Sequence, residues 1–516
     1  MLAVPRLRVL LLIALAFLTP SLLPAADAPA EAKKEEKAPP KPPTMPEEKS
    51  SRTQHSITLD GQKIAYTATA ANYLMKEEDG TPKASIFYVA YTKDGVKDPA
   101  DRPVTFSFNG GPGAAAVWVQ FGAFGPKIVE RNDEGMPATP PPGRLVDNES
   151  SLLDVTDLVF IDPVSTGYSR AVPGVDAKQY HGIKPDIASI GEFIRLWITR
   201  NERWASPKFL AGESYGTTRS AGLAEYLETR YGMDLNGVVL ISSVLNWQTI
   251  LVGNGNDMPY YLFLPTYAAT AWYHKKLPPE LAGDLDKTLR EVEDFALHEY
   301  APALLEGDQL PVARRQALAG KIARYSGLST DFVLRADLRV GPARFEKELL
   351  RDRGQTVGRL DSRFLGADLD SAGEFPEYDP ADVSLDGPYV ASLNDYLRRE
   401  LGFKDDHVYE RQADIQQWSS EGFEMRYPYL GEALREAMVK NPDLQVLVAS
   451  GRYDLATPYF DAAYTAHHLG LPEALRGHMR TTTYNAGHMM YVRRADHRKL
   501  KQEIADFIRA AGAKKR

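Results

Sequence analysis

Short apolar runs, each followed by a turn and then by a stretch with helical spacing, recur along this chain, and that rhythm narrows its fold more than anything else. Residues 104–108, 158–161, 208–211, 238–242 and 444–449 are apolar with little alternation, as strands covered on both faces are. Residues 57–69 and 85–92 alternate like hairpin strands, and residues 186–200 and 216–231 carry apolar side chains at helical spacing. Strands alternating with helices predict an α/β architecture, a mostly parallel central sheet with helices on both faces. From about Trp247 to about Gly431 the rhythm breaks into charged helical stretches, around 279–300 and 312–325. An insertion above the C-terminal strand ends is where a cap that shapes a cleft would lie, so a largely helical cap insertion is predicted there. Its first aromatic residues, Tyr260, Tyr261, Phe263, Tyr267, Trp272 and Tyr273, read as cap core.

The segment ahead of the sheet has a different character. Arg6 and Arg8 precede an apolar run over 9–23, and small residues follow from Ala25 to Ala30, which reads as a secretory signal over 1–28. Pro20 interrupts the run, which is shorter than the roughly 20 apolar residues a membrane span needs. Residues 29–54 are mostly Ala, Pro, Glu and Lys and read as a linker with too little apolar surface to fold. The organisation expected is therefore a signal over 1–28, a linker over 29–54, a core formed by 55–246 and 432–516, and a cap over 247–431. A secreted or periplasmic protein, with no membrane partner after signal cleavage, is the corresponding expectation. None of the 516 residues is Cys, which excludes a disulfide, a thiolate nucleophile and a Cys-ligated metal. A net charge of −8, from 61 basic and 69 acidic side chains, leaves no electrostatic footprint for a nucleic-acid partner.

Chemistry concentrates at the ends of the apolar runs. Gly212-Glu213-Ser214-Tyr215-Gly216 follows one run directly and opens a helical stretch. Two glycines allow a sharp strand-to-helix turn that exposes a serine hydroxyl. A serine is a poor nucleophile without a base, and the base needs a carboxylate to orient it. In the order serine, acid, histidine, the candidates downstream are Asp454, in the loop after 444–449, and His488, in Asn485-Ala486-Gly487-His488 after a short strand near 481–484. Asn109-Gly110-Gly111-Pro112-Gly113, after the run 104–108, is a glycine-rich loop whose N–H groups could face a reacting carbonyl. The Gly111 and Tyr215 amides are the expected oxyanion donors. The adjacent pair His467-His468 lacks the spacing that puts two metal ligands on one helix face, so neither a metal nor a cofactor is expected.

These segments together resemble the serine carboxypeptidases, the S10 peptidase family of α/β hydrolases. The Asn-Gly-Gly-Pro-Gly loop, the Gly-Glu-Ser-Tyr turn, Ser450-Gly451-Arg452-Tyr453-Asp454 and Gly487-His488-Met489 match that family's motifs, and 158–169 is similar to a fifth. The resemblance implies an α/β-hydrolase fold and a peptide substrate from which the C-terminal residue is removed through an acyl-enzyme. Ser214 would be the nucleophile, His488 the proton carrier and Asp454 its orienter. It also implies that Asn109 and a protonated Glu213 bind the substrate's free carboxylate. The chain departs from the family at Ser107, where Trp is usual, at Ala114, where Cys is usual, and in having no acid between Asn109 and Glu130. Other readings of the same motifs are an esterase, a prolyl-type aminopeptidase, or a catalytically silent binding protein on the same fold.

Overall fold

The computed structural model describes residues 45–415, 418–424 and 426–513; the expected signal, and the linker as far as residue 44, lie outside the described residues. Nine strands carry the architecture: β1 (Ser50–Leu59), β2 (Gln62–Lys76), β3 (Pro82–Lys93), β4 (Val104–Phe108), β5 (Asp157–Ile161), β6 (Lys208–Glu213), β7 (Gly237–Ile241), β8 (Gln445–Gly451) and β9 (Met479–Tyr484). With a two-residue strand, Arg170–Ala171, that pairs β3, they form a ten-stranded sheet in the order β1-β2-β3-β5-β4-β6-β7-β8-β9. Pairing is antiparallel from β1 to β5 and parallel from β5 to β9. The expected α/β sheet is therefore present, with an antiparallel edge.

Two details differ from the sequence reading. The folded body begins at Ser50, inside the expected linker, because the polar residues 50–54 pair through their backbones with residues 67–71 of β2. The alternation over 57–69 also spans two strands, split at Asp60-Gly61. Both turn residues have positive φ, 47° and 78°, as a two-residue hairpin connection requires.

Strands β4 to β7 are buried at every position, and alternate side chains feed two cores. On one face Phe209, Ala211, Val239, Ile241 and Ala449 pack with Leu500, Ile504 and Phe507 of the C-terminal helix. On the other, Phe106, Phe108, Leu210, Val238 and Leu240 pack with helices α1 (Ile183–Arg200) and α2 (Tyr215–Tyr231). In α1 the buried Ile183, Ile187, Ile190, Ile194 and Trp197 recur three and four residues apart, one stripe toward the sheet.

The region expected as the cap has two parts. Helix α3 (Met258–Tyr273) and the helices that follow enclose a separate core around Phe263, Tyr267, Val292, Phe295, Ile322 and Phe345. Of its aromatic start, Phe263 and Tyr267 are in that core and Tyr273 is exposed. Helix α4 (Pro380–Asp395) instead sends Leu385, Tyr389 and Leu393 into the core of the sheet itself. Single bridges at Ala114–Gln412, Gly167–Glu410, Gly182–Ser419 and Asn246–Tyr429 then stitch the return segment across the strand-end loops. Among the described residues no helix is long and apolar enough to cross a membrane.

Several buried acids tie stability to pH. Burial pushes the carboxyls of Asp162 and Asp461 up to about 7 and that of Glu346 up to about 8. Each stays protonated in the folded chain at a pH where the unfolded chain has ionised, so stability falls as pH rises from about 4 to 8. His497 acts oppositely: burial pushes it down to about 4, its Nε2–H donating to the Ala123 carbonyl at 2.7 Å, and it weakens the fold below about pH 6.5. Three acids outweigh one imidazole, so the midpoint of thermal unfolding is expected to be higher at pH 5 than at pH 8. Among the described residues Glu346 Oε1 has no hydrogen-bond partner. Glu346→Gln is expected to raise the midpoint at pH 8 and barely move it at pH 5; thermal melts with equal shifts at both would contradict this account.

Candidate active site

The strand-end motifs converge. Asn109–Gly113 follows β4, Ser214 lies between β6 and α2, Asp454 follows β8 and His488 follows β9, all at the C-terminal ends of parallel strands. Ser214 has φ 60° and ψ −130°, a conformation that side-chain-bearing residues seldom adopt. Its amide donates to the Ile241 carbonyl of β7 at 2.9 Å, and its own carbonyl accepts from the Thr217 amide at 2.8 Å and the Thr217 hydroxyl at 2.7 Å. The glycines permit the approach this turn needs. A Cβ on Gly212 would fall 2.2 Å from the Gly216 carbonyl oxygen, and one on Gly110 would fall 2.4 Å from the Tyr215 nitrogen. The glycine loop and the serine turn therefore touch backbone to backbone.

Arg219 of α2, fully buried, binds the two together. Its Nη1 donates to the Asn109 carbonyl at 2.8 Å and its Nε to Asp186 Oδ2 at 2.8 Å. The same Asp186 oxygen accepts from the Tyr215 hydroxyl at 2.9 Å. One carboxylate of α1 thus fixes the residue after the serine, and one guanidinium fixes the glycine loop. The Gly111 and Tyr215 residues expected to donate to an oxyanion both line the cleft with Ser214.

His488 Nδ1–H donates to Asp454 Oδ2 at 2.7 Å, which leaves Nε2 as the nitrogen available to a hydroxyl. Asp454 is fully buried. Its Oδ1 accepts from the amides of Ala456 (2.8 Å) and Thr457 (2.9 Å), and its Oδ2 also accepts from the Thr457 hydroxyl at 2.8 Å. The histidine backbone is held at both ends: its amide donates to the Leu360 carbonyl at 2.6 Å, and its carbonyl accepts from the Ser242 hydroxyl at 2.6 Å. Burial alone would push the imidazole down, but Asp454, and less strongly Glu213, raise it above its ordinary value.

Glu213 is buried beside this pair. Its Oε1 accepts from Asn109 Nδ2 at 2.8 Å and its Oε2 from the Tyr491 hydroxyl at 2.6 Å, while Asn109 Oδ1 accepts from the Val119 amide at 3.1 Å. Burial pushes the Glu213 carboxyl up to about 7, against the pull of His488 and of its two donors. Asn109 and Glu213, the expected carboxylate binders, are thus bonded to one another.

Six of the seven expected site residues line one cleft of about 500 Å³, with Asp454 behind His488. Trp118, Val244, Trp247, Leu360 and Met489 form apolar walls, and Arg359 and Arg411 are cations on the cleft. The sequence reading missed Thr457, Ser242, Tyr491, Asp186, Leu360 and Arg359. Thr457 and Tyr491 each lie three residues after a residue the sequence had singled out, Asp454 and His488, and Ser242 ends the run 238–242; Leu360 and Arg359 arrive from the region expected as the cap. Among the described residues no group of three or more metal-ligating side chains could hold a metal ion.

Comparison with known proteins follows the same lines. The family model described as serine carboxypeptidase matches residues 62–502. Serine carboxypeptidase-like 45 of Arabidopsis thaliana is 25% identical over 179 residues, 33% of this chain and 36% of that protein. Carboxypeptidase Y homolog A of Trichophyton tonsurans is 24% identical over 237 residues, 45% of this chain and 38% of that protein. The chain thus matches less than two-fifths of the length of either curated relative. Among solved structures, Kex1(delta)p, a prohormone-processing carboxypeptidase from Saccharomyces cerevisiae, shares the fold. Its TM-score is 0.53 at 13% identity, over 86% of this chain and 91% of that one.

Because Glu213 helps to raise the His488 pKa, Glu213→Gln is expected to lower it. A base works only when neutral, so the acid limb of the pH–rate profile for an activated ester is expected to move to lower pH. A limb that stays in place or moves up would remove Glu213 from the electrostatics of His488.

Proposed function

The chain belongs to the serine carboxypeptidase family, and from that premise we propose that it removes the C-terminal residue of peptides through an acyl-enzyme. The observation that carries this reading is the buried Asp454–His488 pair at 2.7 Å, opening on the cleft where Ser214 stands at the end of β6.

In this mechanism His488 Nε2 accepts the Ser214 proton as Oγ attacks the last peptide carbonyl, and Asp454 stabilises the imidazolium that forms. The carbonyl oxygen becomes an oxyanion received by the Gly111 and Tyr215 amides; each such donor is worth roughly 3 kcal/mol in the transition state. Collapse breaks the C–N bond, and His488 returns the proton to the leaving amine, releasing the terminal amino acid. Water, deprotonated by the same imidazole, then attacks the acyl-serine, and the shortened peptide leaves with its new carboxylate. Asn109 and Glu213 sit beside the nucleophile, and in this reading their polar pair flanks the substrate's terminal residue. The signal-like segment supports action outside the cytoplasm, in a secreted or periplasmic setting.

Ser214→Ala is expected to lower kcat on the order of 10⁴-fold or more while leaving the melting curve intact. Mass-spectrometric ladders from a mixed peptide pool should show shortening from the C-terminus, stopped by C-terminal amidation. A fluorophosphonate that fails to label Ser214 in the folded protein would favour the silent binding protein. Ladders that shorten from the N-terminus would favour the aminopeptidase.

A further inference from the structure

Asp454 Oδ2 is the oxygen that holds the His488 ring, and a second donor shares it. The Thr457 hydroxyl lies 2.8 Å from that oxygen, 3.1 Å from the Ser242 carbonyl oxygen and 3.2 Å from His488 Nδ1. Nδ1 itself stands 2.7 Å from Oδ2, so hydroxyl, carboxylate oxygen and ring nitrogen form a closed triangle. Thr457, Asp454, Ser242 and His488 are all buried, and Thr457 also lines the cleft.

The chain leaves Thr457 little freedom to turn away. Its amide and that of Ala456 both donate to Asp454 Oδ1, at 2.9 and 2.8 Å, and the helix Tyr459–His467 starts two residues on. On the other side, Ser242 donates its amide to the Ala449 carbonyl of β8 at 2.8 Å and its hydroxyl to the His488 carbonyl at 2.6 Å, which fixes the carbonyl that Thr457 faces. A hydroxyl has one proton to give. A carboxylate at 2.8 Å is a stronger acceptor than a backbone carbonyl at 3.1 Å, so the proton goes to Asp454 Oδ2. With Nδ1–H aimed at the same oxygen, the carboxylate then has four donors for about four lone-pair sites.

We propose that Thr457 is a positioning residue for the proton transfer: its hydroxyl fills the second site on Asp454 Oδ2, sets the carboxylate against the ring and limits how much of its charge the imidazolium feels. This rests on reading Ser214, His488 and Asp454 as the triad of a serine hydrolase, and not on which end of a peptide is cut. A donor on a carboxylate oxygen draws negative charge toward itself and away from that oxygen's other partner. Without the hydroxyl, Oδ2 has the imidazole as its sole partner, the imidazolium is held more tightly, and His488 takes up its proton at higher pH. The other charges around the pair stay as they are. Glu213 raises the His488 pKa and Arg359 opposes it. Asp361, which accepts from the Gly487 amide, is paired with Arg363. Asp461, in the helix that follows Thr457, interacts with Asp454, its own carboxyl pushed up to about 7 by burial.

The test is the pH–rate profile of an activated ester, in the full chain, for substitutions that differ in one group. Thr457→Val keeps the branched shape and loses the hydroxyl. It is expected to lower kcat about threefold to tenfold, the net worth of one hydrogen bond, with little change in KM. The acid limb is expected to move to higher pH, opposite to the direction expected for Glu213→Gln. Thr457→Ser keeps the hydroxyl and should restore both kcat and the limb. Thr457→Ala, which crowds no neighbour, should repeat the shift of the limb if Thr457→Val does not fold. Val and Ser variants that behave alike would make the residue a packing element, and a limb that stays in place or moves to lower pH without the hydroxyl would put its proton elsewhere. Either result, read on an active unaltered enzyme, overturns this inference alone. An unaltered enzyme that neither turns over the ester nor takes a fluorophosphonate on Ser214 overturns the serine-hydrolase reading itself.

Discussion

The backbone of Ser214, held at positive φ between a buried strand and a buried helix, is the constraint around which the catalytic half of the molecule is arranged. A non-glycine residue in that conformation costs on the order of 1–3 kcal/mol and persists only where its surroundings fix it. Here they do so by backbone contact, since the glycine loop meets the turn with no room for a Cβ at Gly110 or Gly212. The Arg219–Asp186 pair locks that contact. A buried ion pair contributes little net stability by itself; its value here is direction, because the guanidinium also holds the Asn109 carbonyl and the carboxylate also holds the Tyr215 hydroxyl. The two backbone segments that would receive an oxyanion are thus aligned by one charge pair.

The acids around His488 divide by their partners. Asp454 accepts two amides, a hydroxyl and the imidazole, a set of donors that suits an ionised carboxylate and fixes the ring. Glu213 has one amide nitrogen and one phenol, and burial outweighs them, so its carboxyl changes charge near neutrality. Two carboxyls near one imidazole therefore have separate roles: Asp454 holds the ring by a direct hydrogen bond, and Glu213 can change charge near neutrality.

What could be read in the sequence was local. The serine turn, the glycine loop, Asp454 and His488 each follow a short apolar run, so strand-end placement and chain order marked them as candidates before any coordinate. Edge strand β1 was partly hidden because it pairs through its backbone and carries polar side chains at Ser50–Gln54, which composition alone assigns to a linker. The supporting residues were hidden for another reason. Leu360 bonds a histidine amide 128 positions away, and Tyr491 bonds Glu213 at a separation of 278. No periodicity or motif encodes such contacts; the first comes from how the cap returns onto the sheet, and the second from the convergence of two strand-end loops of the core.

That return has a consequence for selectivity. Arg363 forms a forked contact with Asp361, at 2.9 and 2.6 Å, and Asp361 Oδ2 in turn accepts from the Gly487 amide at 2.9 Å. With the Leu360–His488 and Arg359–Leu455 bonds, the cap segment 359–363 is tied to the loops of both Asp454 and His488. A substrate pocket carried on a freely hinged cap could vary without touching the catalytic geometry. Here the residues facing the cleft and the residues fixing the imidazole are neighbours on one short stretch of chain. Any change that shifts this stretch to admit a different terminal residue also moves the carbonyl on which the His488 amide rests. The lining of the cleft and the placement of the imidazole are therefore coupled through a few backbone hydrogen bonds, and substitutions of side chains that project from that stretch can alter the first while sparing the second.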